Sequence, residues 1–213
     1  MKSLLTCLIA GVVLVSAGVA VADEPKAPAP PEEIVVYRES GEWVADTTAV
    51  VRRARAALRA RLDSRRPAIV LDIDDTSLST YRCLKAADFD RAEAGCGART
   101  DLPAIPQTLR LYRFARAHGV AVFFITGRHT SARGTTVENL RRAGFARRRG
   151  LHMRPDDQPA SRRDGWKART RRAIERRGYR IVLNVGDQRS DLDGGHAARS
   201  FKLPNPMYVI RTA

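Results

Sequence analysis

Asp72-Ile73-Asp74-Asp75-Thr76 directly follows the apolar run Ala68-Ile69-Val70-Leu71. In extended chain Asp72 and Asp74 point the same way, so two carboxylates converge where the run ends. Like charges that close repel unless a cation or proton sits between them. A second apolar run, Val120 to Ile125, leads into Thr126-Gly127-Arg128, where a hydroxyl and an unhindered backbone can meet an anion. Lys167 lies near the start of a segment with helical spacing, and Gly186-Asp187-Gln188-Arg189-Ser190-Asp191 follows the apolar run Ile181 to Val185. These groups suit phosphoryl transfer. A carboxylate nucleophile divides hydrolysis into two displacements through an acyl phosphate. A second carboxyl group protonates the leaving alkoxide and then deprotonates the attacking water. Mg2+ held by acidic oxygens offsets the repulsion between nucleophile and phosphate, while hydroxyl, backbone and ammonium donors take the equatorial oxygens.

Such groups act together only if the chain delivers them to one place. Apolar spacing predicts helices over 46–62, 106–118, 132–143 and 164–177, the second opened by Pro106 and stopped by Gly119. Short apolar runs predict strands at 68–71, 120–125, 151–153, 181–185 and 207–210. Strands alternating with helices give an α/β fold: a Rossmann-like parallel sheet flanked by helices. Ligands of such sheets bind beyond the carboxyl ends of the strands, and the polar groups named above stand at those ends.

With these four segments in order, the chain resembles the haloacid dehalogenase (HAD) superfamily, and within it the plant-type and class B-like acid phosphatases of subfamily IIIB. Asp72, Asp74 and Thr76 match its first motif, Thr126 its second, Lys167 its third, and Asp187 with Asp191 its fourth. The segments Leu102-Pro103-Ala104-Ile105-Pro106, Phe123 to Arg128, Gly186 to Leu192 and Lys202-Leu203-Pro204-Asn205-Pro206 are also similar to that subfamily. The resemblance implies that Asp72 is the nucleophile and a metal ligand. Asp74 is then the general acid/base, with its backbone carbonyl on the metal. Asp187 is a direct ligand, and Asp191 a ligand through water or a support for one. Thr126 and the Gly127 amide hold the phosphoryl group, and Lys167 neutralises charge. Arg128 either meets the substrate or pairs with a site acid. The implied substrate is a small phosphomonoester, and the implied activity that of an acid phosphatase. Residues 77–104 correspond to a small cap, within a domain running from residue 34 to 213.

The amino terminus has a different character. Lys2 precedes an apolar run from Leu4 to Ala22 ending in Ala20-Val21-Ala22, the layout of a cleaved signal peptide over residues 1–22. An uncleaved membrane anchor is the alternative. A secreted, periplasmic or cell-surface protein follows from either. Residues 23–33, rich in Pro, Ala and Glu, read as a flexible lead-in. Two cysteines then remain, Cys83 and Cys96, spaced for a disulfide in an exported chain, with a pair of thiols as the other reading.

The chain carries 33 arginines against five lysines and a formal net charge of +15. That charge favours anionic partners, including non-specific binding of anionic polymers. No nucleic-acid motif accompanies it, and aromatics make up only 6%. His129, His152 and His196 lack partners at metal-ligand spacing and read as structural or exposed; Trp43 and Trp166 read as packing residues. Two further functions fit the same residues: a non-catalytic storage or binding protein, and a phosphotransferase using the same acyl phosphate.

Overall fold

The computed structural model describes residues 27–158 and 165–210. The expected signal segment, residues 23–26 of the lead-in, and Asp164 at the expected start of the last long helix lie outside the described residues. Strands β1 (Pro67–Leu71), β2 (Ala121–His129), β3 (Gly150–Arg154), β4 (Arg180–Gly186) and β5 (Ser200–Lys202) form one parallel sheet in the order β3-β2-β1-β4-β5. The fold is the expected α/β architecture.

The apolar runs are continuous because both faces of the sheet are covered. Ala68 and Val70 of β1 join Phe123 and Ile125 of β2 on one face, against Ile174 of a helix at Trp166–Arg176. Ile69 and Leu71 join Val122 and Phe124 on the other. There they meet Val51, Ala54 and Leu58 of a helix at Glu42–Arg59, and Leu111 and Ala115 of one at Pro106–Ala117. Burying each large apolar side chain contributes about 1.5–3 kcal/mol, so the middle strands are fixed in register. In chain order the helices are α1 (Pro31–Glu39), α2 (Glu42–Arg59), α3 (Tyr81–Lys85), α4 (Arg91–Ala94), α5 (Pro106–Ala117), α6 (Arg133–Arg142), α7 (Trp166–Arg176) and α8 (Arg189–Leu192). Among the described residues no helix is long and apolar enough to cross a membrane.

Two elements depart from expectation. Met207–Ile210 is not a strand; the fifth strand is Ser200–Lys202. Pro204 and Pro206 lack the N–H groups a ladder needs, and the Gln188 side chain serves the segment's backbone instead. Its Nε2 donates to the Tyr208 carbonyl at 3.3 Å, and its Oε1 accepts from the Ile210 N–H at 2.8 Å. Met207 and Tyr208 bury beside Ile34 and Leu84. The other departure is α1, which begins inside the stretch read as lead-in. Pro31 at its first turn and Glu32 and Glu33 beside it suit a helix start, but Ile34 is its one buried residue, so its apolar signal is weak.

Despite that, α1 is well tied. The Ala29 N–H donates to the Pro206 carbonyl at 2.9 Å. The Arg38 guanidinium stacks on Trp43 at 3.6 Å and Tyr81 at 4.6 Å, and donates to Ser79 Oγ at 3.1 Å. Glu39 accepts from Tyr81 and Lys85 at 2.8 and 2.6 Å. These contacts join α1 to residues 77–104, which hold α3, α4 and a single 3-10 turn at Cys96–Ala98. Asp90 caps α4 by accepting from the amides of Ala92 and Glu93 at 2.8 and 3.3 Å. Cys83 and Cys96 are bonded as a disulfide, with their Cα atoms 5.9 Å apart.

Candidate active site

Parallel strands put their carboxyl ends on one edge, and a cavity of about 850 Å³ opens there. Asp72, Asp74, Thr126, Gly127, Arg128, Lys167, Asp187 and Asp191 all line it. The sequence therefore named one site.

Asp72 follows the last residue of β1, and its N–H donates to the Val185 carbonyl of β4 at 3.0 Å. Its carbonyl accepts from Ser77 Oγ at 2.6 Å, which closes the turn beneath it. The carboxylates of Asp72, Asp187 and Asp191 are all buried and offer oxygens within 4.8 Å of one another. Lys167, at the start of α7, reaches Asp72 Oδ1 and also Asp191 Oδ1, the latter at 2.5 Å. Burial alone would push the lysine down, but Asp191 and Asp72 hold it above its ordinary range, so it is charged. Asp72 goes up well above the usual carboxylate range: burial outweighs the Lys167 ammonium, and Asp191, Asp187 and Asp74 add to the rise.

Asp187 sits at the end of β4. Its Oδ1 accepts from Thr76 Oγ1 at 3.0 Å, and its Oδ2 from Gln188 Nε2 and Asn205 Nδ2, both at 2.7 Å. Burial and the nearby Asp191 and Asp75 still raise it to about 7. Asp191 closes the turn of α8: its Oδ2 accepts from the Gln188 N–H at 2.9 Å. Gly186 makes this turn feasible, because a Cβ there would lie 2.3 Å from that of Asp191.

Asp74 does not share the acid cluster through its side chain. The chain leaves extended geometry beyond Leu71, with Asp75 at φ +52, and Arg128 takes the Asp74 carboxylate. Arg128 Nη2 reaches Oδ1 at 2.6 Å and Nε reaches Oδ2 at 3.0 Å. Arg128 is thus paired with a site acid, one of its two readings, and also lines the cavity. Thr136 holds its remaining Nη1 at 3.2 Å. Thr126, Gly127 and Arg128 lie within β2, where the pairing with β3 shifts between Thr126 and His129 and turns these residues toward the cavity. Thr126 Oγ1 accepts from the Arg128 N–H at 3.1 Å, which leaves the hydroxyl proton for another acceptor. A Cβ on Gly127 would meet nothing within 4 Å, so its face of the wall is open.

The cavity wall carries four carboxylates, and the cations bonded to them are Arg128 and Lys167. Asp187 takes its hydrogen bonds from the neutral groups of Thr76, Gln188 and Asn205. Hard oxygen donors gathered this closely, with Asp72 and Asp187 both pushed upward, fit a divalent cation such as Mg2+.

Sequence reasoning missed several supports. Asn205 and Tyr208 return from the far end of the chain. Tyr208 OH donates to Asp75 Oδ2 at 2.9 Å, and Asp75 also accepts from the Thr80 N–H at 3.0 Å. Arg171, fully buried, donates to the carbonyls of Asp191 at 2.5 Å and Gly195 at 2.8 Å, and to that of Asp193. It lies four residues after Lys167, on the same helix face; that spacing was the available signal. His129 and Trp166, next in sequence to Arg128 and Lys167, also line the cavity, whereas Trp43 packs as expected and donates to the Pro204 carbonyl at 3.0 Å.

Comparison with known proteins follows the same lines. The family model described as HAD superfamily, subfamily IIIB (acid phosphatase), matches residues 12–211. "Acid phosphatase 1" of Solanum lycopersicum is 38% identical over 160 residues, which are 70% of this chain and 61% of that protein. "Stem 31 kDa glycoprotein" of Glycine max is 39% identical over 112 residues, covering 52% of this chain and 44% of the relative. The chain thus spans about half to three fifths of the length of these relatives. The class C acid phosphatase of Bacillus anthracis superposes with a TM-score of 0.70 at 21% identity over 84% of each chain, a likeness of fold.

Proposed function

The chain belongs to subfamily IIIB of the HAD superfamily, the acid phosphatases, and from that membership we propose that it is an exported, magnesium-dependent phosphomonoester hydrolase working through an aspartyl-phosphate. The observation carrying this reading is the convergence of the Asp72, Asp187 and Asp191 carboxylates within 4.8 Å, bridged by Lys167.

In this mechanism an Asp72 carboxylate oxygen attacks phosphorus and the ester bond to the leaving oxygen breaks. Asp74 gives that oxygen a proton, and alcohol departs. Asp74 then takes a proton from water, whose oxygen attacks the acyl phosphate and returns Asp72 as carboxylate and phosphate as product. Arg128 fixes the direction of the Asp74 carboxyl group through two of its nitrogens. Thr126 and Gly127 bind phosphoryl oxygens, and Lys167 offsets charge shared between nucleophile and phosphate. Mg2+, held by Asp72, Asp187, the Asp74 carbonyl and Asp191 directly or through water, would supply further neutralisation of the phosphoryl group.

The cavity of about 850 Å³ far exceeds the needs of a phosphate group, which favours acceptance of varied phosphomonoesters. Residues 77–104 serve as a small cap over it, since Leu84, Arg91 and Cys96 line its wall. Export rests on the signal-peptide pattern at 1–22, on the Cys83–Cys96 disulfide, and on the glycoprotein name of the soybean relative.

The test is turnover of p-nitrophenyl phosphate by wild type and Asp72→Asn, each with magnesium and then with EDTA. The reading expects chelator-sensitive turnover that falls roughly a thousandfold or more in the variant. Undiminished turnover by Asp72→Asn would overturn the aspartyl-phosphate. No chelator-sensitive turnover in wild type would leave the non-catalytic alternative standing.

A further inference from the structure

A second concavity, of about 460 Å³, lies far from the carboxylates. It is formed by the last turns of α5 and by the loop at Gly144–Arg147 between α6 and β3. These segments immediately precede the starts of β2 and β3. In a parallel sheet they therefore occupy the amino edge, opposite the edge that carries Asp72 and Asp187.

Three arginines, Arg113, Arg116 and Arg147, line this cleft, and no acidic residue does. Among the described residues none of the three forms an ion pair, which is equally true of exposed arginines such as Arg52 and Arg172; what sets the three apart is that they line one concavity. The backbone of Arg147 is held in place. Its N–H donates to the Tyr112 hydroxyl at 2.9 Å, and that hydroxyl donates to the Arg147 carbonyl at 2.6 Å. Gly144 is in the left-handed region, and the Arg113 guanidinium lies over the hydrogen-only side of it, 3.6 Å from where a Cβ would stand. The floor is thus tied to α5 by two hydrogen bonds, and three arginines that form no ion pair among the described residues line it.

We propose that this cleft is a non-catalytic anion site that takes the phosphate groups of a linear phosphate polymer. Arginine forks match phosphate oxygens, and a row of cations in a shallow groove favours a repeating anion over an isolated one. A polymer held there leaves the carboxylate cavity facing away from it.

The test measures binding of short-chain inorganic polyphosphate to the full chain at several salt concentrations, without magnesium. It compares wild type with R113S/R116S/R147S and with R52S/R172S/R176S, which removes equal charge from exposed positions on α2 and α7. The cleft variant is expected to bind about tenfold or more weakly, and its log–log salt slope to fall by about 2, near 0.7 per lost contact. The control variant should lose less than about threefold. Thermal melts and p-nitrophenyl phosphate turnover should match wild type in both variants; the melts report folding even if wild type proves inactive. Equal losses in the two variants would overturn the site in favour of diffuse charge. Complete displacement of polyphosphate by orthophosphate at concentrations that saturate the carboxylate cavity would overturn it too.

Discussion

Asp191 can approach Asp72 because residue 186 has no side chain. Any Cβ at Gly186 would overlap the Cβ of Asp191, an atom that no rotamer change can move. Gly186→Ala is therefore expected to cost about 1–3 kcal/mol, read from urea midpoints, and to displace Asp191 enough to abolish most p-nitrophenyl phosphate turnover. Charge at the same spot makes a second prediction. Without a metal, burial and its acidic neighbours raise Asp187 to about 7, against about 3.9 in an unfolded chain. The folded state then holds a proton that the unfolded state has released across that interval. The associated stability is full below about pH 4 and is lost as pH rises through about 7. Chelator-treated protein should melt at progressively lower temperature from pH 4 to 7, and added magnesium should reverse most of that loss at pH 7.

α7 serves the site with two residues one turn apart: Lys167 takes the carboxylate of Asp191, and Arg171 takes its carbonyl. The guanidinium fastens the whole turn after β4, since Asp193 and Gly195 bond to it as well, and Asn184 Nδ2 adds a bond to the Asp191 carbonyl at 2.9 Å. Arg171→Met keeps the apolar stem but strands buried carbonyls. It should cost about 3 kcal/mol in chemical denaturation and lower turnover by loosening Asp191. The acids, Thr126 and Lys167 were legible because each follows or opens an element whose apolar period is strong. What stayed hidden has physical reasons. Arg171 looks in sequence like its many exposed neighbours, and burial of a guanidinium leaves no compositional mark. β5 is three residues of mixed polarity, too short for any period, while the apolar Met207–Ile210 imitates a strand although it packs as irregular chain. The side chain of Asp74 was misdirected by assuming extended geometry one turn too far.

The two edges of the sheet divide the molecule's electrostatics. Carboxylates gather at one edge, and at the other Arg113, Arg116 and Arg147, which form no ion pair among the described residues, line the second cleft. The first described helix bears on the first of these: α1 touches the segment at 77–104 through Arg38 and Glu39, and Ala29, two residues before it, is bonded to Pro206, next to the site's own Asn205. Ala29 thereby sets a boundary for engineering. Trimming after Ala22, or fusion of a tag up to residue 28, should leave melting temperature and turnover unaltered. Deletion through Ser40 should lower both, because it unfastens the segment at 77–104 and the chain around Pro206 in one cut.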